Sequence, residues 1–243
     1  MSEPSVQVDF RQVEGGRIAD VTIDNRHRLN SLNAGLMDRF VACFAQLSAQ
    51  ESLRAVVLTG AGEKAFVGGA DIDEMTDLDA DGARRFITRV HRCCAAVRDC
   101  PVPVIARIDG HVYGAGLELA ASCDLRVATD NSRFGMPEVR LGVPSVVEAA
   151  LLPLLVGWGR ARQILYLGET FDAAQALAWG LVEQVTSRSQ IDAVIQGWLQ
   201  SLMACGPQAI RLQKALVRRW EDLPLGEAVA AGINTFATAY QTE

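Results

Sequence analysis

The spacing of apolar residues predicts alternating strands and helices in the first half of the chain. Residues 6–10 and 17–23 alternate apolar and polar side chains, which is typical of half-buried strands. Asn33 is a good N-cap, and the apolar residues after it recur at helical spacing. The apolar run at 54–59 contains β-branched residues and predicts a buried strand, and a second helix is expected over 79–98. This order of elements is that of an α/β protein.

The second half of the chain is predicted to be mostly helical. Extended chain is expected at 104–108 and 125–128, with a short helix at 117–122 between them. After about residue 145 the one remaining strand is expected at 181–185. Helices are predicted near 145–156, 160–168, 172–179, 188–204, 207–220 and 225–240.

No linker or break in composition separates these halves, so one continuous domain is expected, with a core over 1–190 and a helical C-terminal region over 191–243. The 243 residues include 23 Lys and Arg and 29 Asp and Glu, for a net charge of −6. The sequence has no basic stripe, which argues against a nucleic-acid partner. It also has no stretch of the roughly 20 apolar residues that a membrane span needs.

Cysteine and histidine spacing gives no sign of a metal or disulfide site. The six cysteines form no CxxC pair, and the three histidines show neither HxH nor HxxxH spacing. Because the cysteines lie in apolar stretches, we expect buried, reduced thiols. The N-terminus lacks the basic and apolar regions of a secretory signal, so we expect a cytoplasmic location.

Three segments are candidates for chemistry, and the first is residues 64–75. Gly68 and Gly69 follow a buried strand and precede an acidic helix start. Such a turn can aim free backbone N–H groups at a ligand. The alternative is a glycine loop that only reverses the chain.

In the second segment, residues 110–120, three glycines lead into a helix that carries Glu118 in its first turn. The first amides of a helix lack intrahelical partners and suit a developing oxyanion. Glu118 has apolar neighbours, which favours burial; the alternative is a solvated carboxylate that complements the helix dipole.

The third segment, residues 132–144, places Glu138 in a loop bounded by Gly135 and Gly142. A glutamate in a loop is most often exposed. The interval from Glu118, however, allows a helix end, a strand and a return of the chain. The two carboxylates could therefore face one cleft from opposite sides.

Taken together and in order, these segments resemble the crotonase, or enoyl-CoA hydratase/isomerase, superfamily. The resemblance implies a spiral of repeated ββα units with a helical C-terminal trimerisation region, and assembly as a homotrimer or dimer of trimers. The stretches that carry it are 30–32, 65–72, 110–120, 123–125, 134–138 and 141–144.

The resemblance also implies roles for individual residues. The oxyanion hole would be the backbone N–H groups of Ala70 and Ala115, and the acid–base pair would be Glu118 and Glu138. No cofactor is implied beyond the coenzyme A of the substrate. Residues implied in substrate or coenzyme A binding are Arg26, Arg28, Leu29, Gly68, Asp71, Ile72, Gly114 and Pro137.

The sequence departs from the family pattern in three places. Arg26 stands where a proline is usual. Residues 144–150 replace a glycine-rich stretch and add a third carboxylate, Glu148, near the expected pocket. The chain stops at Glu243, where many members continue through a further short helix. These departures leave the acyl-chain preference and the completeness of the pocket open.

The expected activity is addition of water to the double bond of a 2-enoyl-CoA. That reaction develops negative charge on the thioester oxygen and needs two proton transfers. One order makes Glu138 the acid at Cα and Glu118 the base that orients water; the reverse order is also open. The alternatives are 3,2-enoyl-CoA isomerisation, hydrolysis or decarboxylation of an acyl-CoA, and a non-catalytic acyl-CoA-binding protein.

Overall fold

The computed structural model describes residues 3–241, which form two sheets covered by helices. In chain order the strands are β1 (Ser5–Val13), β2 (Gly16–Asp24), β3 (Leu53–Gly60), β4 (Ala65–Val67), β5 (Val104–Ile108), β6 (His111–Tyr113), β7 (Leu125–Thr129), β8 (Arg133–Gly135), β9 (Thr170–Asp172) and β10 (Gln184–Thr186). The helices are α1 (Ala34–Ser48), α2 (Ile72–Met75), α3 (Ala80–Arg98), α4 (Ala115–Ala121), α5 (Leu152–Leu167), α6 (Ala173–Ala178), α7 (Ile191–Met203), α8 (Pro207–Trp220) and α9 (Leu225–Ala239). Short 3₁₀ helices lie at Arg26–Arg28, Glu138–Leu141 and Val147–Leu151.

The first sheet has the strand order β1-β2-β3-β5-β7-β10. Its first two strands form an antiparallel hairpin, and the other neighbours are parallel. Apart from the half-buried Thr59, every residue of β3 is buried. Parallel strands covered on both faces lose the apolar–polar alternation, which explains the continuous apolar run at 55–58 within this strand. The strands expected at 6–10, 17–23, 54–59, 104–108 and 125–128 are confirmed.

The second sheet consists of four strands of three residues each, in the order β4-β6-β8-β9. The first three are parallel, and β9 runs antiparallel to β8. Each of β4, β6 and β8 follows a strand of the first sheet after a short turn. The pattern missed these strands because three residues are too few to show a period. The repeated strand pairs confirm the expected spiral of ββα units.

Two long helices cover the spiral and have the caps that the sequence predicts. The Asn33 side chain accepts a hydrogen bond from the Leu36 amide at 2.8 Å, and Asp79 caps α3 in the same way through Gly82. On α1, Phe40 and Phe44 are fully buried. Burial of such a side chain contributes about 1.5–3 kcal/mol. Helix α1 packs against α3, and α3 forms one wall of the cavity described below.

Three elements differ from the expected boundaries. The strand expected at 181–185 lies at Gln184–Thr186, because Leu181 and Val182 are buried in the core without pairing. The helix expected at 145–156 begins as the 3₁₀ turn at Val147–Leu151. Gly157 interrupts α5 with a φ of 73°, so the predicted division between two helical segments near this point is close to the observed one.

The cysteines are free thiols with unequal exposure. Four of them are buried, Cys43 is partly buried and Cys205 is exposed, so the expectation of burial is wrong for Cys205. Within residues 3–241, no group of three or more His, Cys, Asp or Glu side chains could hold a metal ion. Across the same residues, no helix combines the length and apolar character that a membrane crossing requires.

The helical C-terminal region packs against the spiral with two of its three long helices. On α7, Ile191, Ile195 and Leu199 are buried in a cluster against the first sheet. On α8, the buried Lys214 ammonium lies 2.7 Å from the Asp124 carboxylate and also donates to backbone carbonyls. The third helix, α9, leaves most of its large apolar residues exposed.

Candidate active site

A cavity of about 600 Å³ collects residues from all three segments singled out in the sequence. Both carboxylates, Glu118 and Glu138, line it, so the expectation that they face one cleft is confirmed. The opposite wall is apolar and comes largely from α3. The further lining residues are Gly68, Gly69, Ala70, Ile72, Met75, Leu78, Ala83, Arg84, Phe86, Ile87, Val90, Tyr113, Gly114, Ala115, Pro137, Leu141, Val143, Pro144, Ser145 and Val146.

Two glycines allow the backbone segments of the cavity to approach closely. Gly114 has φ 50° and ψ −122°, and a Cβ there would lie 2.4 Å from Glu138 Oε1. A Cβ on Gly116 would lie 2.0 Å from the Val67 carbonyl oxygen. Larger residues would therefore push α4 away from β4 and from Glu138. These contacts place the second candidate segment against both the first and the third.

The proposed oxyanion-hole residues, Ala70 and Ala115, both line this cavity. Ala115 is the first residue of α4, where an amide has no intrahelical acceptor. Ala70 follows the Gly68–Gly69 turn, which is fixed by hydrogen bonds between residues 29–32 and 68–71. Within residues 3–241, neither alanine amide has a hydrogen-bond acceptor. Two donors are thus available at the edge of the cavity that holds the carboxylates.

Glu118 is a buried carboxyl group, with only 4% of its surface exposed. Its Oε1 accepts a hydrogen bond from the Ala149 amide at 3.1 Å. Burial raises the pKa of Glu118 to about 8; the Ala149 bond opposes the shift, and the negative charges of Glu138 and Glu148 add to it. A pKa in this range favours the protonated form of Glu118 at neutral pH.

Glu138 has a different environment. It is half-buried and begins a 3₁₀ turn directly after Pro137, so it is neither in an irregular loop nor fully exposed. Its Oε2 accepts a hydrogen bond from the Ser145 hydroxyl at 2.8 Å. A hydroxyl donor suits a carboxylate that accepts hydrogen bonds. The two acidic side chains of the cavity thus have different partners and different exposure.

The loop at 26–29, which contains the predicted coenzyme A-binding residues Arg26, Arg28 and Leu29, lies beside the Gly68 turn, because the Gly68 amide donates to the Leu29 carbonyl at 2.8 Å. Its arginines are engaged in ion pairs. Arg26 lies 2.6 Å from Asp24, and Arg28 lies 3.4 Å from Asp71 and 2.5 Å from Asp73. Both arginine side chains remain more than half exposed.

The predicted binding residues divide between two depressions. Gly68, Ile72, Gly114 and Pro137 line the cavity with the carboxylates. Arg28 and Asp71 line a separate depression of about 470 Å³ together with His27, Asn33 and Glu74. Among the residues that the structure describes, Arg26 and Leu29 line neither of the two.

Sequence reasoning missed two side chains that contact the acidic groups. Ser145 binds Glu138, and the His91 ring nitrogen Nδ1 lies 2.8 Å from Glu148 Oε1. Glu148 was noted as a third carboxylate near the pocket, and the structure shows it to be buried. The one available signal was this single acidic residue in an apolar run, because its partner on α3 is distant in sequence.

Comparison with known proteins identifies the family. The model of the enoyl-CoA hydratase/isomerase family matches residues 14–243. The short-chain-enoyl-CoA hydratase of Clostridium acetobutylicum is 34% identical over 229 residues, covering 94% of this chain and 88% of the relative. The crotonyl-CoA hydratase of Syntrophomonas wolfei is 30% identical over 228 residues, covering 93% and 88%. The chain belongs to the enoyl-CoA hydratase/isomerase family.

Solved structures agree with this placement. The enoyl-CoA hydratase of Mycobacterium smegmatis superimposes with a TM-score of 0.93 at 30% identity, covering 99% of this chain and 92% of that one. The enoyl-CoA hydratase of Bacillus anthracis gives a TM-score of 0.92 at 28% identity, covering 98% and 92%. The similarity therefore extends over the spiral and the C-terminal helices alike.

Proposed function

We propose that this protein is an enoyl-CoA hydratase that adds water across the 2,3 double bond of an acyl-CoA thioester. The observation that carries the proposal is a pair of carboxyl groups in one cavity, one buried with a raised pKa and one half-buried, beside two free backbone amides. The names of the similar proteins from C. acetobutylicum and S. wolfei support the same activity.

The proposed chemistry uses the amides for charge and the carboxyl groups for protons. The oxygen of water forms a bond to C3, and the electrons of the double bond move to the thioester oxygen. The Ala70 and Ala115 amides stabilise this enolate, and one such donor contributes about 2.7–4 kcal/mol in comparable sites. Collapse of the enolate takes up a proton at C2. One carboxylate accepts a proton from water, and one carboxylic acid supplies the proton to C2.

The raised pKa of Glu118 provides one proton for this pair at neutral pH. The order in which Glu138 is the acid requires that proton to move to Glu138 before it reaches C2. The reverse order uses the proton on Glu118 directly. Either order leaves the base protonated and the acid ionised, so the proton must pass between the two glutamates to restore the starting state before the next turnover. The assignment of Glu138 as the acid stays a prediction.

The acyl chain is proposed to lie along the apolar wall of the cavity, which includes Phe86, Ile87 and Val90 of α3. Coenzyme A is proposed to follow the loop at 26–29, where exchange of an ion-pair partner would free Arg26 or Arg28 for a phosphate. Gly68, Asp71, Ile72, Gly114 and Pro137 complete the predicted binding set. No cofactor is needed besides the coenzyme A of the substrate.

Hydration of crotonyl-CoA, followed by loss of absorbance of the enoyl thioester, tests the proposal. We expect turnover by the wild type and by Glu51→Gln, which removes an exposed carboxylate remote in sequence from the site. We expect loss of turnover in Glu138→Gln. A correctly folded wild type that binds crotonyl-CoA without hydrating it would favour the non-catalytic alternative. Conversion of a 3-enoyl-CoA without hydration would favour the isomerase.

We also propose that the chain assembles as a homotrimer, or as a dimer of trimers. The support is a stripe along α9 at helical spacing, in which Leu225 is 81% exposed and Tyr240 is 80% exposed. Val229, Ile233 and Phe236 lie between them on the same stripe and are also exposed. Such a face favours self-association. Light scattering at micromolar concentration tests it, and a monomer would refute it. The cytoplasmic location expected from the sequence stays a prediction.

A further inference from the structure

One short stretch, the 145–149 segment, contacts both acidic groups of the cavity. At its start, the Ser145 hydroxyl donates to Glu138 Oε2 at 2.8 Å. At its end, the Ala149 amide donates to Glu118 Oε1 at 3.1 Å. The relative placement of the two carboxyl groups therefore depends on the conformation of these five residues.

The backbone of the 145–149 segment is strained. Val147 has a φ of 40°, a left-handed conformation that β-branched residues rarely adopt. Such a conformation is unfavourable and persists only where surrounding contacts impose it. Val147 lies between the two donors, Ser145 and Ala149. Because its conformation is unfavourable, we expect a further contact, an anchor, to hold the segment in place.

Glu148 provides that anchor. Its side chain is 5% exposed, and Oε1 lies 2.8 Å from Nδ1 of His91 on α3. The other oxygen, Oε2, is buried and has no hydrogen-bond partner among residues 3–241. A buried acceptor without a partner is unfavourable. The contact with His91 therefore holds the Glu148 carboxyl group, and with it the 145–149 segment, against α3.

Neither member of the anchor touches the cavity itself. Of the described residues, Ser145 and Val146 line it, whereas His91 and Glu148 do not. The 3₁₀ turn packs against both α3 and α4, the helices that carry His91 and Glu118. An effect of the anchor on the reaction must therefore act through Ser145 and the Ala149 amide.

We propose that His91 and Glu148 are positioning residues that fix the 145–149 segment and, through it, the orientation of both carboxyl groups of the acid–base pair. The inference rests on the proposed function for its link to hydration. The groups that face Glu118 are Glu138, Glu148 and the Cys94 thiol of α3, and Glu148 in turn faces His91.

His91→Ala is the first test, because the histidine side chain is half exposed and its loss leaves the core filled. Since one hydrogen bond holds the anchor, we expect kcat for crotonyl-CoA to fall about 3- to 10-fold with KM almost unchanged. The matched control is Arg89→Ala on the same helix, which removes an ion pair with Asp38 at 3.1 Å. We expect the control to lower thermal stability without lowering kcat.

A conservative variant separates positioning from general destabilisation. His91→Asn keeps an amide donor near the position of Nδ1 and should recover most of kcat. Ser145→Ala should lower kcat in the same way as His91→Ala, because it removes the donor to Glu138. Equal kcat for His91→Ala, Ser145→Ala and Arg89→Ala, at matched folded fractions, would overturn the inference.

A pH titration tests the inference independently of turnover. The Ala149 amide lowers the pKa of Glu118 through its hydrogen bond to Oε1. If His91 holds the 145–149 segment in place, His91→Ala should weaken this bond, and the ¹³C NMR titration of the Glu118 carboxyl should move to higher pH. The same titration in Arg89→Ala should match the wild type. An unmoved titration in His91→Ala would overturn the inference. Because this measurement needs no substrate, a wild type that fails to hydrate crotonyl-CoA would refute the proposed function and leave the positioning test intact.

Discussion

Two parts of the cavity lining each present one glutamate, and they differ: the Glu118 wall is formed by α4, and the Glu138 wall by the 3₁₀ turn at Glu138–Leu141. Glu118 is buried on α4, receives a backbone amide and has a pKa raised to about 8. Glu138 is half-buried on a 3₁₀ turn and receives a side-chain hydroxyl. Different environments for two neighbouring carboxyl groups are typical of an acid–base pair. The two residues are of the same type, so the difference between them comes from their burial and their hydrogen-bond partners.

Each wall also depends on a different glycine, at a point where two backbone segments or a backbone and a side chain approach closely. The Glu118 wall relies on Gly116, which lets α4 lie directly on β4. The Glu138 wall relies on Gly114, whose missing Cβ leaves room for the Glu138 carboxylate. A side chain at either position would change one wall more than the other. The walls can therefore be perturbed separately.

The largest effect is expected for Glu138→Gln. Both hydration and isomerisation need proton movement on the α side of the thioester, so both activities should fall by about 10²–10⁴. Parallel assays with crotonyl-CoA and a 3-enoyl-CoA measure this loss. Glu51→Gln serves as the control for a carboxylate outside the cavity. Wild-type rates of Glu138→Gln with both substrates would remove this residue from the mechanism.

Ala115→Pro tests the amide at the start of α4, the helix that carries Glu118. Proline removes the N–H donor while its φ suits an early helical position, so α4 can survive. We expect kcat to fall about 10²–10³, while Ala115→Gly, which keeps the donor, stays much closer to wild type. Circular dichroism must first show that both variants are folded. A folded proline variant with wild-type kcat would place the oxyanion hole on another amide.

The sequence predicted the long elements and the contents of the cavity more fully than the contacts behind it. Strand β3 and helices α1 and α3 have periods and caps that a local pattern reveals. The second sheet escaped because its strands are too short to show a period. The sequence did not predict the contact between His91 and Glu148. This contact joins α3 to a 3₁₀ turn that is distant in sequence, and a local pattern carries no information about such a contact.

For Glu118 and Glu138, too, the sequence predicted the location better than the properties that depend on distant residues. The sequence could place both near one cleft, since glycine-flanked segments and helix starts are local features. It could not give the protonation of Glu118, because that depends on desolvation and on Glu138 and Glu148 from other segments. The order of acid and base remains a prediction for this reason.

Glu118→Gln should separate the two reactions. Hydration needs both proton carriers, whereas isomerisation needs chiefly one, so hydration should fall by about 10²–10⁴ and isomerisation by much less. The ratio of the two rates in one preparation measures the effect and is insensitive to the active fraction of enzyme. Equal losses in the two assays would contradict this division between the walls.

The smallest effect is expected in the stability of Glu118→Gln, and its sign follows from the raised pKa. The unfolded chain loses the Glu118 proton near the ordinary value of 4.5, whereas the folded protein keeps it up to about 8. Between these values the folded state binds more protons, so this group makes the free energy of unfolding fall as pH rises. The glutamine variant lacks this loss. The Tm of the variant minus that of the wild type should therefore be lowest at pH 5 and rise to a plateau above pH 8. The corresponding change in the free energy of unfolding is at most a few kcal/mol. Calorimetry at fixed protein concentration, with Glu51→Gln as control, measures the difference. A Tm difference that is constant from pH 5 to pH 9 would show that burial does not hold the proton on Glu118.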